Sequence, residues 1–326
     1  MTNFEKIPIL AVVGATASGK SALSMELAKR LNGEIVSCDS MQIYRHMDIG
    51  TAKPTEADRA SIPHHLIDIA DPKTDFSCAE YITAAAKAIA EIHARKNLPI
   101  ICGGTGLYLD SLLRGGGFEE SATADPVLRE SLFSYAKEHG NHALHERLRA
   151  VDPKSADAIH ENNVKRVVRA LEIYESTGLT KSELDRRSQE FESPYAATVI
   201  GLAYPDREVL YRRIDRRVDE MISEGLLEET ARLESEGVFL SNSTAAQAIG
   251  YKELRRYLQG EQSLSEAIED LKRATRHYAK RQITWFGAKP YVLWIPVEVN
   301  DTAATLAEQA LPLILPRLEA HREGSP

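Results

Sequence analysis

The stretch Gly14-Ala15-Thr16-Ala17-Ser18-Gly19-Lys20-Ser21 decides how the rest of the chain is read. It matches G-x-x-x-x-G-K-[ST]. The apolar run Ile7 to Val13 precedes it and an amphipathic run, Ala22 to Leu31, follows it, which is the setting the motif requires. The glycines let backbone N–H groups turn inward around an anion. The N-terminus of the following helix adds partial positive charge. Lys20 places an ammonium against phosphate oxygens, and the Ser21 hydroxyl can ligate Mg²⁺. All eight residues from Gly14 to Ser21 are candidate diphosphate ligands. By motif this would be labelled a nucleotide or ATP site, yet the loop specifies only a di- or triphosphate with Mg²⁺.

Working outward, four more β-branched runs alternate with helical patterns: Glu34–Ser37, Leu98–Cys102, Thr198–Leu202 and Tyr291–Ile295. Near-continuous apolar strands separated by helices predict a parallel sheet covered on both faces. The expected fold is therefore α/β, a P-loop NTPase-like sheet flanked by helices. Between residues 120 and 195 the strand signal stops, and the chain becomes charged and helical, punctuated by Pro126, Pro153 and Pro194. The expected organisation is a core domain from residues 1–119 and 196–320, a helical insertion domain over 120–195, and a flexible tail over 321–326. Long helices are predicted over about 206–236 and about 263–286, the second opened by a capping box, Ser263-Leu264-Ser265-Glu266.

The 43% hydrophobic and 27% charged residues fit a soluble globular protein, and no apolar run approaches the ~20 residues needed to cross a bilayer. No membrane partner is expected. Lys6 leads straight into Ile7 and the glycine loop, so the start reads as a core strand and not a targeting segment. Cys38, Cys78 and Cys102 form no CxxC pair, which argues against a zinc site or a disulfide framework and favours a reducing cytoplasm.

The formal net charge of −8 argues, taken alone, against a nucleic-acid partner. Its distribution argues otherwise. Lys272, Arg273, Arg276, His277, Lys280 and Arg281 recur at helical three- and four-residue spacing, with no acid between Lys272 and Arg281, and Trp285 and Phe286 follow. Lys165, Arg166 and Arg169 make a smaller cluster in the insertion. Such stripes suit phosphate contacts, and they also suit a plain solvated face.

Asp39 follows the second strand, where an acid projects toward the phosphate site as a metal ligand, a general base or a helix N-cap. It begins a connected pattern: Asp39–Tyr44, Gly50–Pro54, His64–Asp68, Gly103–Tyr108, Arg166–Glu172, Gln247–Glu253 and Tyr278–Gln282. With the glycine loop, these segments resemble, in order and over nearly the whole chain, the bacterial tRNA dimethylallyltransferase (IPP transferase) family.

The resemblance implies a reaction in which dimethylallyl diphosphate donates its prenyl group to the exocyclic amine of the adenine at tRNA position thirty-seven, beside the anticodon, and diphosphate leaves. It gives Asp39 the role of base toward the amine. It places Thr16 at the oxygen joining prenyl to diphosphate, lines the site with Thr105, and sets Arg217 on the diphosphate from the far side. Arg217 is singled out from Arg212, Arg213 and Arg216 only by its match to the family pattern, since one helix cannot turn all four to one ligand. Expected tRNA contacts are Asp39, Ser40, Met41, Gln42, Thr105, Lys165, Arg166, Val167, Val168, Arg169, Gln247, Lys272, Arg273, Arg276, Lys280 and Arg281. Mg²⁺ is the expected cofactor, and the anticodon stem-loop is the expected partner, its target base flipped out of the stack. The insertion is expected to close over the anticodon loop. No dimer seam is evident, so a monomer is expected. A P-loop kinase acting on a small molecule or nucleoside is the main alternative. A non-enzymatic, nucleotide-switched RNA-binding protein is another.

Overall fold

The computed structural model describes residues 6–115, 125–190 and 192–323. Six strands, β1 (Ile7–Val13), β2 (Gly33–Ser37), β3 (His64–His65), β4 (Leu98–Gly103), β5 (Tyr195–Ala203) and β6 (Val292–Pro296), form one sheet in the order β3-β2-β4-β1-β5-β6. Every pair is parallel. The α/β expectation holds. The five strands read from the sequence are present, and β3, which was not read as a strand, is a two-residue edge paired only to β2.

Side chains alternate across β1 and so supply both faces of the sheet. Ile9, Ala11 and Val13 pack with Tyr81, Ile89, Leu109 and Phe286, from the helices Cys78–Ala94, Gly106–Arg114 and Leu264–Gly287. Leu10 and Val12 pack with Leu23, Leu27, Ala310 and Ile314, from the helices Lys20–Leu31 and Ala303–Glu323. The sheet is thus covered twice, which is what its continuous apolar strands require.

The helix expected over 206–236 is two helices, Arg207–Ser223 and Leu226–Ser235. They part at Gly225, whose φ of 102° lies outside the range of a right-handed helix. The later helix, Leu264–Gly287, carries the expected capping box between Ser263 and Glu266.

The chain divides into two compact units, one from the segments up to Leu113 and from Pro194 onward, the other spanning Arg114–Ser193. The second unit is helical: Pro126–His139, Asn141–Val151, Pro153–Ala158, Val164–Thr177 and Lys181–Glu190. Pro126 and Pro153 sit in first helical turns behind the capping side chains of Asp125 and Asp152, where a missing N–H costs nothing. Leu132, Leu144, Leu148, Val167, Val168 and Leu171 form its core. Of the tail read as flexible, 324–326 lie outside the described residues, and the last helix reaches Glu323.

Candidate active site

The sheet order builds the site. β4 lies between β2 and β1, so the segments leaving these three strands emerge side by side at their carboxyl ends, where open α/β sheets hold ligands. The Cys38 N–H donates to the Cys102 carbonyl at 2.7 Å, and the Thr105 N–H donates to the Cys38 carbonyl at 3.1 Å. The Ser40 N–H donates to Thr105 Oγ1 at 3.1 Å. A Cβ on Gly103 would lie 2.1 Å from the Cys38 carbonyl oxygen, so only glycine permits this approach. Asp39 is therefore fixed against the Thr105 turn. Its Oδ1 accepts the Met41 N–H at 2.9 Å, and Oδ2 has no hydrogen bond among the described residues.

The phosphate loop follows β1. Gly19 turns with φ 94° into the Lys20–Leu31 helix, and Lys20 Nζ folds back to donate to the Ala15 carbonyl at 3.2 Å. Burial lowers the Lys20 pKa, with Cys102 opposing and nearby Arg217 adding to the effect. Burial likewise lowers the Arg217 pKa, opposed by Asp39. Two half-buried cations thus face one carboxylate. An anion bound between them would relieve both.

A narrow cavity of about 70 Å³ is lined by Thr16, Lys20, Ser21, Asp39, Arg217 and Tyr278 among others. A wider one of about 880 Å³ is lined by Lys20, Ser21, Arg213, Arg216 and Arg217. Lys20, Ser21, Ala52, Pro54 and Arg217 line both, so the phosphate loop stands between a confined chamber and an open vestibule. Of Arg212, Arg213, Arg216 and Arg217, Arg217 alone lines the chamber, while Arg212 is exposed and Arg216 pairs with Glu220.

The residues read as tRNA contacts divide. Asp39 and Gln42 line the chamber, and Ser40 and Met41 flank them, half-buried. The Gln42 amide already has partners: its Oε1 accepts from Ser37 Oγ and its Nε2 donates to the Thr51 and Ala52 carbonyls. Gln247 is exposed, at the end of the short helix Ser243–Ala246. In the insertion unit Lys165 and Arg166 are exposed, and Arg169 pairs with buried Glu172. Val167 and Val168 correct the sequence reading: they are 0% and 1% exposed, in the core of their unit, so their side chains cannot meet RNA.

The basic stripe is also altered. Lys272 pairs with Asp219 and Glu269, Arg273 with Asp270, and Arg276 with Asp215. Asp215 and Asp219 come from the Arg207–Ser223 helix, so acids from elsewhere offset a run that is acid-free in sequence. Lys280 and Arg281 are exposed, the Arg281 guanidinium lying 5.5 Å from the centre of the Tyr278 ring.

Four residues at or beside the site were given no individual role by sequence reasoning. Tyr278 lines the chamber, and burial raises the pKa of its phenol, as does the charge of Asp39. Gln282 is buried against the phosphate loop. The Arg213 Nε donates to the Ala17 carbonyl at 3.0 Å. Glu229 accepts the N–H groups of Asp48, Ile49 and Gly50 and thereby holds the segment whose Thr51, Ala52 and Pro54 wall the chamber. The available signal was that Tyr278 and Gln282 lie in a quoted segment; nothing local marked Glu229.

Comparison with known proteins agrees with this geometry. The IPP transferase family model matches residues 42–289. The tRNA dimethylallyltransferase of Caldanaerobacter subterraneus is 46% identical over 314 residues, covering 96% of this chain and 99% of the relative. That of Bacillus subtilis is 50% identical over 292 residues, 90% of this chain and 91% of the relative. The crystal structure of the Bacillus halodurans tRNA isopentenylpyrophosphate transferase aligns with TM-score 0.71 at 44% identity over 98% of this chain and 99% of that one. A eukaryotic dimethylallyltransferase acting on tRNA aligns with TM-score 0.81 at 29% identity over 96% of this chain and 79% of that one. A phosphate loop facing a carboxylate across a shared chamber, together with full-length relatives of one kind, leads to one conclusion: the chain belongs to the IPP transferase family.

Proposed function

We propose that this enzyme transfers a dimethylallyl group from dimethylallyl diphosphate to the N6 amine of the adenine at tRNA position thirty-seven, releasing diphosphate. The observation that carries the reading is the Asp39 carboxylate on the same narrow chamber as Thr16, Lys20 and Arg217. The amine is a weak nucleophile because its lone pair is delocalised into the ring. As its nitrogen bonds to the allylic carbon, the carbon–oxygen bond to diphosphate breaks and the N6 proton passes to Asp39. A base so placed contributes ~10²–10⁴-fold. The leaving diphosphate gathers charge against the loop amides, Lys20 and Arg217, groups already aimed there before reaction. Thr16 meets the oxygen that joins prenyl to diphosphate, and Thr105 holds the turn beside Asp39. A prenyl group filling the narrow chamber would leave little room for water at the allylic centre.

The donor set suits Mg²⁺ carried by the substrate. Ser21 offers a hydroxyl on both cavities, and no cluster of three His, Cys, Asp or Glu is present among the described residues. Mg²⁺ keeps most of its waters and binds through few protein ligands plus phosphate oxygens. Its chemistry here is neutralisation of diphosphate charge.

The tRNA anticodon stem-loop binds with its adenine flipped out. Lys165 and Arg166 of the insertion unit, and separately Lys280 and Arg281 of the Leu264–Gly287 helix, are the exposed cations suited to its phosphates. No helix among the described residues is long and apolar enough to cross a membrane. We place the enzyme in the cytoplasm, as a monomer. The test is incubation with unmodified tRNA, Mg²⁺ and either dimethylallyl diphosphate or ATP. Prenylated adenosine after nuclease digestion is expected with the first donor only; phosphate transfer from ATP, or tRNA binding without turnover, would overturn the reading.

A further inference from the structure

Gln282 sits in the last two turns of the Leu264–Gly287 helix and is 5% exposed. Its Oε1 accepts the Thr16 N–H at 2.8 Å, and its Nε2 donates to the Gly104 carbonyl at 3.0 Å. The partners leave one orientation for the amide, because an N–H needs the oxygen and a carbonyl needs the NH₂. Gly104 leaves room for it: a Cβ there would lie 2.0 Å from Gln282 Nε2. One side chain therefore joins the phosphate loop after β1 to the turn after β4 that carries Thr105. Both Thr16 and Gln282 line the chamber that holds Asp39.

Among the described residues the loop has few other ties at this point. The Ser18 N–H donates to the Ala15 carbonyl at 3.2 Å, and Lys20 Nζ reaches the same carbonyl. These are bonds within the loop and do not fix it against the Asp39 side of the site. The Arg213 Nε and the Tyr204 hydroxyl hold the Ala17 and Ser18 carbonyls, farther along the loop. The Thr16 N–H is the loop's link toward the Thr105 turn.

We infer that Gln282 is a positioning residue for prenyl transfer: it acts through Thr16, setting the loop so that the Thr16 hydroxyl meets the departing oxygen while Asp39 meets the amine. The inference rests on the reading of Thr16 given under the proposed function. A misplacement of about 1 Å between such groups costs on the order of 10²-fold in rate. Donor affinity, supplied mainly by Lys20, Arg217 and the loop amides, changes little.

The test is a double-mutant cycle on single-turnover prenyl transfer with the whole chain, dimethylallyl diphosphate and an unmodified anticodon stem-loop. Gln282→Met keeps the volume and removes both hydrogen bonds. The expected result is a rate loss of roughly 10–100-fold, with the KM for donor and the Kd for RNA within about three-fold of wild type. In a Thr16→Ala background the same change should cost no more than about three-fold, because the group it positions is gone. Gln282→Glu keeps the enzyme assayable if the Met variant folds poorly. Protonated, the new carboxyl can accept from Thr16 and donate to Gly104; ionised, it cannot donate. The activity of Q282E relative to wild type should therefore rise as pH falls. A wild-type rate in Q282M, a loss that simply adds to that of Thr16→Ala, or a flat relative pH profile in Q282E overturns the inference. A wild-type rate in Thr16→Ala overturns the Thr16 reading instead, and no prenyl transfer by the unaltered enzyme overturns the reaction.

Discussion

Glu229→Gln should loosen the wall of the site by a calculable amount. Glu229 Oε2 accepts the N–H groups of Asp48 and Ile49, each at 3.0 Å, while Oε1 accepts the Gly50 N–H at 3.1 Å and the Tyr251 hydroxyl at 2.7 Å. The carboxylate is 7% exposed, so water cannot stand in for it. An amide offers one oxygen and one NH₂. If the NH₂ replaces Oε2, two N–H groups lose their acceptor. If it replaces Oε1, only the Gly50 N–H does, because the Tyr251 hydroxyl can rotate to accept from the NH₂. The second arrangement costs less and sets the expectation: one orphaned amide at ~1–3 kcal/mol, with two charge-assisted bonds reduced to neutral ones. Relief of the buried charge offsets part of this, leaving a loss of about 2–4 kcal/mol. Tyr251→Phe removes one bond and orphans nothing, costing about 1.5–3 kcal/mol, and the double variant should lose less than the sum. Urea unfolding followed by tryptophan fluorescence reads the core domain, since the two tryptophans, Trp285 and Trp294, both lie in it. Because Gln42 also braces the Thr51 and Ala52 carbonyls, Glu229→Gln should raise the KM for the prenyl donor several-fold as well. Stability within about 0.5 kcal/mol of wild type, or strict additivity with Tyr251→Phe, would refute the reasoning.

Burial opposes ionisation of Glu34, but hydrogen bonds from Arg95, Asn97 and His65 outweigh it and hold the carboxyl at about 2, below its ordinary 4.5. Its contribution is therefore complete above pH 4.5 and is lost as pH falls toward 2. With Arg95 nearly half exposed and screened, the full contribution is about 1–2 kcal/mol, and because the folded carboxyl is still largely ionised at pH 3, unfolding free energies at pH 5 and pH 3 should show wild type losing about half of that relative to Glu34→Gln. Val167→Asp should destabilise the insertion unit by more than about 3 kcal/mol, seen as lost hydrogen-exchange protection there; a folded unit with altered tRNA affinity alone would instead favour a surface role. Lys280→Ala should reduce the salt dependence of tRNA binding by about one phosphate contact, while Lys272→Ala, already paired with Asp219, should reduce it less; equal slopes would count against the pairing.

Much of the fold was legible because its signals are local. The phosphate loop needs eight consecutive residues, and five of the six strands contain short β-branched or apolar runs. β3 escaped because two residues carry no period, and the break at Gly225 escaped because an isolated glycine is tolerated within a helical pattern. Charge was only partly legible where it depends on a neighbour: nothing between Lys272 and Arg281 foretells Asp215 and Asp219 packing alongside. Val167 and Val168 could have been placed correctly. With Leu171 they recur at one-, three- and four-residue spacing, the buried stripe of a helix, and that period outweighs membership of a segment that resembles a tRNA contact. Gln282 shares the buried three- and four-residue spacing of Ala279 and Phe286, but nothing local marked Glu229, since a polar residue buried to hold backbone looks in sequence like any surface residue.

The central claim is that Asp39 takes the amine proton while the phosphate loop holds the leaving group. Asp39→Asn is the sharpest probe, because an asparagine oxygen can still accept the Met41 N–H and so preserves the local turn. The measurement is the single-turnover rate of prenyl transfer at saturating tRNA and donor, alongside the tRNA Kd. The account predicts a rate loss of at least ~10²-fold with Kd within a few fold. A near-normal rate at saturation with greatly weakened tRNA binding would contradict it, making Asp39 a contact for the RNA and not the base.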